Sequence, residues 1–321
     1  MPANESLSVL WVLFYILVFP GFAFLLCFAL FADWVDRKLH ARLQHRIGPP
    51  WFQPLADIIK LAAKEELIPT QVDRVMFKLT PVVALTAVVA AFMCIPVWGR
   101  SALFSFKGDV IVVLYLLTIP TLTFFLGGWY SRSLYSMIGA ARTLTQLFAY
   151  EIPLYLGVLA PALLAGEWSL SDMAKFYGDH PWCTAFNAIG LGVALVALLG
   201  KLERVPFDIP EAETEIVAGS FTEYSGRLLA VFKLAVSIEM VVGATLLAAV
   251  FLPFGLTLGS AAGFGLYLLK VLAIVAVLTL LRTLMARLRL DQMINFCWQV
   301  AAPVAFVQLL VNLVVKGLVR L

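Results

Sequence analysis

Charge is scarce in this chain. Of 321 residues, 13% are Asp, Glu, Lys or Arg, against 62% hydrophobic. Soluble domains carry about twice that charged share, so an ordinary water-facing surface is excluded. Cysteine is sparse too: Cys27, Cys94, Cys183 and Cys297 lie far apart, with no CxxC or Cys/His spacing. The thiols therefore read as buried and inert, and no iron–sulfur, zinc or other metal centre is expected within the chain. The opening MPANESLSVLW lacks Lys and Arg. It lacks the basic start of a cleaved signal peptide, so the first apolar run is expected to be a retained span. No internal repeat, low-complexity tract or linker divides the sequence, so residues 1–321 are read as one transmembrane domain. Nucleic acid is not an expected partner.

What the chain has in quantity is long apolar runs. A helix crossing a hydrocarbon core about 30 Å thick needs roughly 20 apolar residues. Such runs extend from about Leu10 to Phe31, Leu79 to Trp98, Val110 to Trp129, Tyr150 to Ala165, Ala185 to Leu199, Leu228 to Leu252, Gly263 to Leu281 and Phe296 to Val315. The expected fold is all-α: a polytopic integral membrane protein with about eight transmembrane helices.

Basic residues are distributed asymmetrically about these runs. The odd-numbered connections hold Arg37, Lys38, Arg42, Arg46, Lys60, Lys64, Arg74, Arg132, Arg142, Lys201, Arg204, Arg227, Arg282, Arg287 and Arg289. The other side holds only Arg100, Lys107, Lys175, Lys316 and Arg320. By the positive-inside rule the odd loops are cytoplasmic and both termini outside. In the first loop, QPLADIIKLAAKEE (53–66) repeats Leu55, Ile58, Ile59, Leu61 and Ala62 at helical spacing. This pattern predicts a short amphipathic helix, either interfacial or a solvated connector.

Against this apolar background a few carboxylates stand out. Glu239 lies well inside the sixth run, and Glu151 stands at the start of the fourth. An acid at the centre of a spanning helix costs about 2.5–3.5 kcal/mol on insertion scales, so it is expected to be paired, neutralised or placed against water. Lys233 on the same helix is a candidate partner for Glu239, and Arg142 for Glu151. The fifth loop, RVPFDIPEAETEIVAG (204–219), concentrates Asp208, Glu211, Glu213 and Glu215. Pro206 and Pro210 prevent a regular helix through FDI. A helix starting after Pro210 would put Glu211 and Glu215 on one face at i, i+4. A solvated charge run is the ordinary reading of such a stretch; an acid-lined mouth continuing to acids within the membrane is the functional one.

These segments resemble a known family. RVPFDIPEAETEIVAGSFTEYSG is similar to the signature loop of the membrane subunit that closes the quinone site of respiratory complex I, NADH:quinone oxidoreductase subunit 1. DWVDRKLHARLQHRIGPP resembles that family's other signature, QPLADIIKLAAKEE its amphipathic helix, and MIGAARTLTQLFAYE the start of a later span. Within the family, two features resemble the membrane anchor subunit of energy-converting [NiFe] hydrogenases. Only Pro50, Trp51 and Phe52 separate RIG-Pro49 from the QP element, and the family's AEY triplet is replaced by Ala235, Val236 and Ser237, with Glu239 one turn on.

The resemblance implies a non-catalytic subunit with no redox cofactor of its own. Its implied partners are hydrogenase-like large and small subunits and an iron–sulfur subunit of a peripheral arm, antiporter-like membrane subunits, and the lipid bilayer. Iron–sulfur clusters and a nickel–iron centre would lie in those partners, and a quinone channel is not favoured. By position, Asp36, Asp57, Glu151, Glu211, Glu213, Glu215 and Glu223 match acids of the family's charged path, with Glu239 added on the local argument. Arg37, Arg46, Arg142 and Arg204 match basic positions near the docking surface. The implied location is the cytoplasmic membrane of a bacterium or archaeon. A complex I subunit, a sulfur-reducing complex and a passive anchor are the alternatives; a stand-alone transporter would need repeats or broken helices that the sequence lacks.

Overall fold

The computed structural model describes residues 14–97, 102–255 and 260–319, with the side chains of 213, 214, 260 and 319 outside that description. The opening MPANESLSVLW, Arg100 and Arg320 of the sequence argument lie outside the described residues.

The chain is helical throughout, with no strand among the described residues. In order come α1 (Phe22–Leu43), α2 (Gln53–Ala63), α3 (Arg74–Met93), α4 (Asp109–Tyr130), α5 (Leu134–Ala165) and α6 (Leu170–Asp179). A 3₁₀ segment (Pro181–Asn187) leads into α7 (Ala188–Lys201), followed by the single turn α8 (Glu213–Ile216) and α9 (Gly226–Phe251). After these stand α10 (Ser260–Leu284), α11 (Leu290–Phe296) and α12 (Ala302–Val319), the last two joined by a π-helical turn at Cys297–Ala301. Eight helical stretches among the described residues are long and apolar enough to cross a membrane. The chain is thus a multi-pass membrane protein.

Two spans run further than their apolar runs. The first continues to Leu43, so Asp33, Asp36 and Arg37 are helical, and Asp33 and Asp36 are buried. The fourth begins at Leu134 rather than near Tyr150, which puts Glu151 in mid-helix. Hydropathy ended the first run just short of Asp33 and began the fourth only well past Arg142. Those charges are paired or buried in the bundle, so they do not end the helix. Cys94, Cys183 and Cys297 are buried, but Cys27 is exposed on the outer face of α1, against the expectation for all four.

The sixth span, α9, is the hub. Its most apolar window is 83% buried, against 28% for the first and last spans. It packs on α1, α2, α3 and α10, which enclose most of its apolar surface. A second group forms around α5, which packs on α4, α7 and α12. Helix α2 lies across α1 and α9 with only Pro54 buried, leaving Leu55 and Ile59 exposed. This is the amphipathic helix that the spacing of 53–66 predicts.

Candidate functional site: a charged cavity between α1, α7 and α9

The fifth connection shapes the site. Helix α7 stops at Lys201, and Phe207 and Ile209 of the following loop insert into the core at 1% and 3% exposure. Asp208 between them lines a cavity instead. The loop then folds back so tightly that a Cβ on Gly219 (φ +52°) would lie 1.8 Å from the Pro210 carbonyl oxygen. Only glycine closes this turn.

The cavity encloses about 560 Å³. Its lining includes seven acids (Asp33, Asp36, Asp57, Glu203, Asp208, Glu211, Glu239) and seven bases (Arg37, Lys60, Lys64, Lys201, Arg204, Lys233, Arg282). It runs from exposed Lys60 on α2 and Lys64 just past that helix to Lys201 and Glu239, which are 1% and 0% exposed. Opposite charges therefore line it from rim to floor in equal number.

Near the rim, Arg37 pairs with Asp33 and Asp57, both at 2.8 Å, and Gln53 donates to Asp57 at 2.8 Å. Partial burial would raise the Asp57 carboxyl, but the hydrogen bonds from Arg37 and Gln53 hold it below the usual range. Asp36, 1% exposed, is a node between three elements. Arg204 from the loop contacts it, Arg282 of α10 reaches it at 2.8 Å, and the Thr279 hydroxyl donates to it at 2.6 Å. Further along, Lys233 pairs with Glu211 at 2.7 Å.

At the floor, the Lys201 ammonium lies 2.8 Å from Glu239 and also donates to the Leu117 carbonyl. Removing two charges from water is expensive, and their attraction offsets that cost only when each has its partner. The partner of Glu239 is thus Lys201, from another helix. Lys233, two turns earlier on α9, is taken by Glu211.

Other residues named from the sequence lie outside this lining. Glu151 accepts a hydrogen bond from Tyr155 at 2.6 Å and is not the ion-pair partner of Arg142. Arg142 instead pairs with Glu215 at 2.6 Å, and Arg287 approaches Glu215 at 3.4 Å. The Arg142 hydrogen bond holds the Glu215 carboxyl below the usual glutamate range. Glu211 and Glu215 do not share a helical face, because α8 is a single turn beginning after Glu211. One turns into the cavity and the other toward α5. Glu223 is partly buried outside the cavity, Arg46 is exposed beyond the end of α1, and the Glu213 side chain is outside the described residues. Arg37 and Arg204, expected at a docking surface, both line the cavity, and Arg204 is only 15% exposed.

Glu151 is connected to the cavity indirectly. Tyr150, 1% exposed, hydrogen-bonds Thr121 at 2.9 Å, and the Lys201 ammonium lies 6.0 Å from its ring centre. Glu239, Glu203 and Glu151 all act electrostatically on Tyr150. The tyrosine thus stands between the cavity floor and the fourth-span acid.

Asp33, Lys201, Glu203 and Arg282 went unmarked as site residues in the sequence. Asp33 lies one turn before Arg37 on the same helix, a spacing that could have marked it. Lys201, Glu203 and Arg282 were legible only as loop charges, since nothing local shows which way a side chain at a helix end turns. Among the described residues no group of three or more His, Cys, Asp or Glu side chains could hold a metal ion.

An eight-span bundle with a charged cavity enclosed among its helices defines a class of membrane subunit, and comparison identifies the family within it. The NADH dehydrogenase family matches residues 15–313, and the chain belongs to that family. It is 33% identical over 301 residues to the H subunit of the NADH-quinone oxidoreductase of Carboxydothermus hydrogenoformans, covering 90% of this chain and 85% of that one. It is 35% identical over 302 residues to NADH-quinone oxidoreductase subunit 8 of Thermus thermophilus, covering 90% and 82%. Among solved structures it is similar to a chain of the membrane-bound sulfane sulfur reductase, an archaeal respiratory membrane complex. There the TM-score is 0.79 at 25% identity, over 90% of this chain and 97% of that one.

Proposed function

We propose that this chain is the coupling subunit of a redox-driven, ion-translocating membrane complex, joining a peripheral redox arm to ion-conducting membrane subunits. The observation that carries this reading is the cavity, where seven acids and seven bases lead from an exposed rim to the buried Lys201–Glu239 pair. Such a network is sensitive to charge: a proton or electron arriving at the rim shifts the protonation of paired groups within, because interacting sites titrate together. Asp57 and Arg37 stand at the entrance, Asp36 with Arg204 and Arg282 forms the node, and Glu211–Lys233 precedes Lys201–Glu239. Tyr150 continues the line toward Glu151. The peripheral arm would dock over α2 and the fifth loop on the cytoplasmic side, with both termini outside.

A hydrogenase-type arm, with iron–sulfur clusters and a nickel–iron centre in its own subunits, is favoured by the compact RIGPPWFQP turn and the lack of an acid at Val236. A quinone-site role is the second reading, favoured by the names of the curated relatives. The high charge of the lining weighs against it, since pockets for apolar ligands are lined mainly by hydrophobic side chains.

Glu239→Gln and Glu151→Gln in the assembled complex are expected to leave redox turnover measurable while ion pumping into sealed vesicles falls at least tenfold. Wild-type pumping in both variants would sink the coupling role. Nickel in the purified complex supports the hydrogenase-type arm, and quinone-dependent turnover without nickel supports the second reading.

A further inference from the structure

Among the described residues, Glu203 is the one acid of the cavity that combines a left-handed backbone with a carboxylate oxygen lacking a partner. Its φ is +51°. Its N–H donates to the Gly200 carbonyl and the Arg204 N–H to the Leu199 carbonyl, both at 3.2 Å. That pair of bonds closes a helix through a left-handed residue, a place where glycine is usual. A non-glycine residue held there is a backbone outlier, and such outliers cluster at functional sites. The backbone turns Glu203 off the end of α7 toward the cavity it lines. Its Oε1 is shielded from solvent and takes no hydrogen bond.

The acids on either side are served differently. Glu211 has Lys233 at 2.7 Å and Glu239 has Lys201 at 2.8 Å. The strongest electrostatic influences on Glu203 come from Glu211 and Asp208 of its own loop and from Glu239 and Lys233 of α9. Burial, followed by Glu211 and Glu239, drives its carboxyl well above the usual glutamate range, with Lys233 opposing.

We propose that Glu203, turned into the cavity with one carboxyl oxygen unpartnered, passes a proton between the Glu211–Lys233 pair and the Lys201–Glu239 pair. The O–H bond at Glu203 breaks as one forms on the Glu239 carboxylate. Glu203 then takes a proton from the Glu211 side, so one proton moves and no other reactant is consumed. This role rests on the coupling path proposed above.

The test uses the intact complex in its membrane. Infrared difference spectra at pH 7 are expected to show a neutral-carboxyl C=O band that disappears in both Glu203→Gln and Glu203→Gly. Pumping is expected to fall at least tenfold in both, and Glu203→Asp to recover part of it. The glycine variant places the usual residue at this helix end, so its loss of pumping is not a folding defect. A band unchanged in Glu203→Gln, or wild-type pumping in both variants, overturns the role. If Glu239→Gln uncouples while Glu203→Gln pumps normally, only the role of Glu203 fails. If Glu239→Gln itself pumps normally, the path fails with it.

Discussion

Two buried polar clusters sit in this bundle, built from opposite chemistry. One is the charged cavity between α1, α7 and α9. The other joins α12 to α5 and α6 through neutral groups. Gln308 donates to the Phe186 carbonyl at 2.5 Å and to Asn312 at 2.8 Å. Asn312 donates to Asn187 at 2.7 Å, Asn187 to the Tyr177 hydroxyl at 2.9 Å, and Tyr177 to the Pro161 carbonyl at 2.8 Å. Asn187, Gln308 and Asn312 are each at most 1% exposed. This neutral chain ends on backbone carbonyls, and none of its side chains lines the cavity at α9. It fixes the last span to the bundle at the modest cost of burying amides. The charged cluster surrounds about 560 Å³ and leaves carboxylate oxygens of Glu203 and Glu239 without hydrogen bonds of good geometry. The neutral chain leaves one oxygen, Oε1 of Gln308, in the same condition, so what sets the charged cluster apart is its cavity and its ionisable side chains, which can exchange protons where amides cannot.

The contrast can be tested by breaking each cluster. The largest loss of stability is expected from Lys201→Met, which strands Glu239 beside an apolar chain. Breaking a buried pair costs about 3–5 kcal/mol, read as a fall in thermal midpoint of the purified chain in detergent. Lys201→Met with Glu239→Leu is expected to recover most of that stability, because both charges are gone, yet to leave the complex uncoupled. Asn312→Leu cuts the neutral chain and is expected to cost only about 1 kcal/mol, with pumping unchanged. A loss as large as that of Lys201→Met would show that the two clusters are not different in kind.

The smallest change sharpens the picture most. Glu203→Gly relieves a left-handed residue and is expected to stabilise the chain by about 1 kcal/mol. Glu203→Gln tests the sign of its proton linkage. The carboxyl is raised in the folded state, so above the ordinary glutamate value near pH 4.3 the folded chain binds more protons than the unfolded one. Wild-type stability is then expected to decline as pH rises from about 4.3 toward the folded value, and to fall less steeply in Glu203→Gln. Equal slopes in thermal denaturation from pH 5 to 8 would contradict a neutral Glu203.

How far the sequence could be read depended on distance along the chain. Apolar runs located every span, because a hydrocarbon core demands continuous local hydrophobicity. They misplaced the ends of α1 and α5, where Asp36 and Arg142 are neutralised by residues far away in sequence. The cluster at 204–219 identified the loop, yet the expected i, i+4 face of Glu211 and Glu215 dissolved into one inward and one outward pairing.

The sequence by itself determined a multi-pass helical protein, its family, and the stretches where charge is concentrated. Those properties follow from composition and short-range pattern. Only the tertiary structure decided that Glu239 belongs with Lys201, that Arg204 and Arg282 meet on Asp36, and that Glu203 turns into the cavity. Ion pairing acts through space, and a buried charge takes whichever partner the packing of distant helices brings within reach.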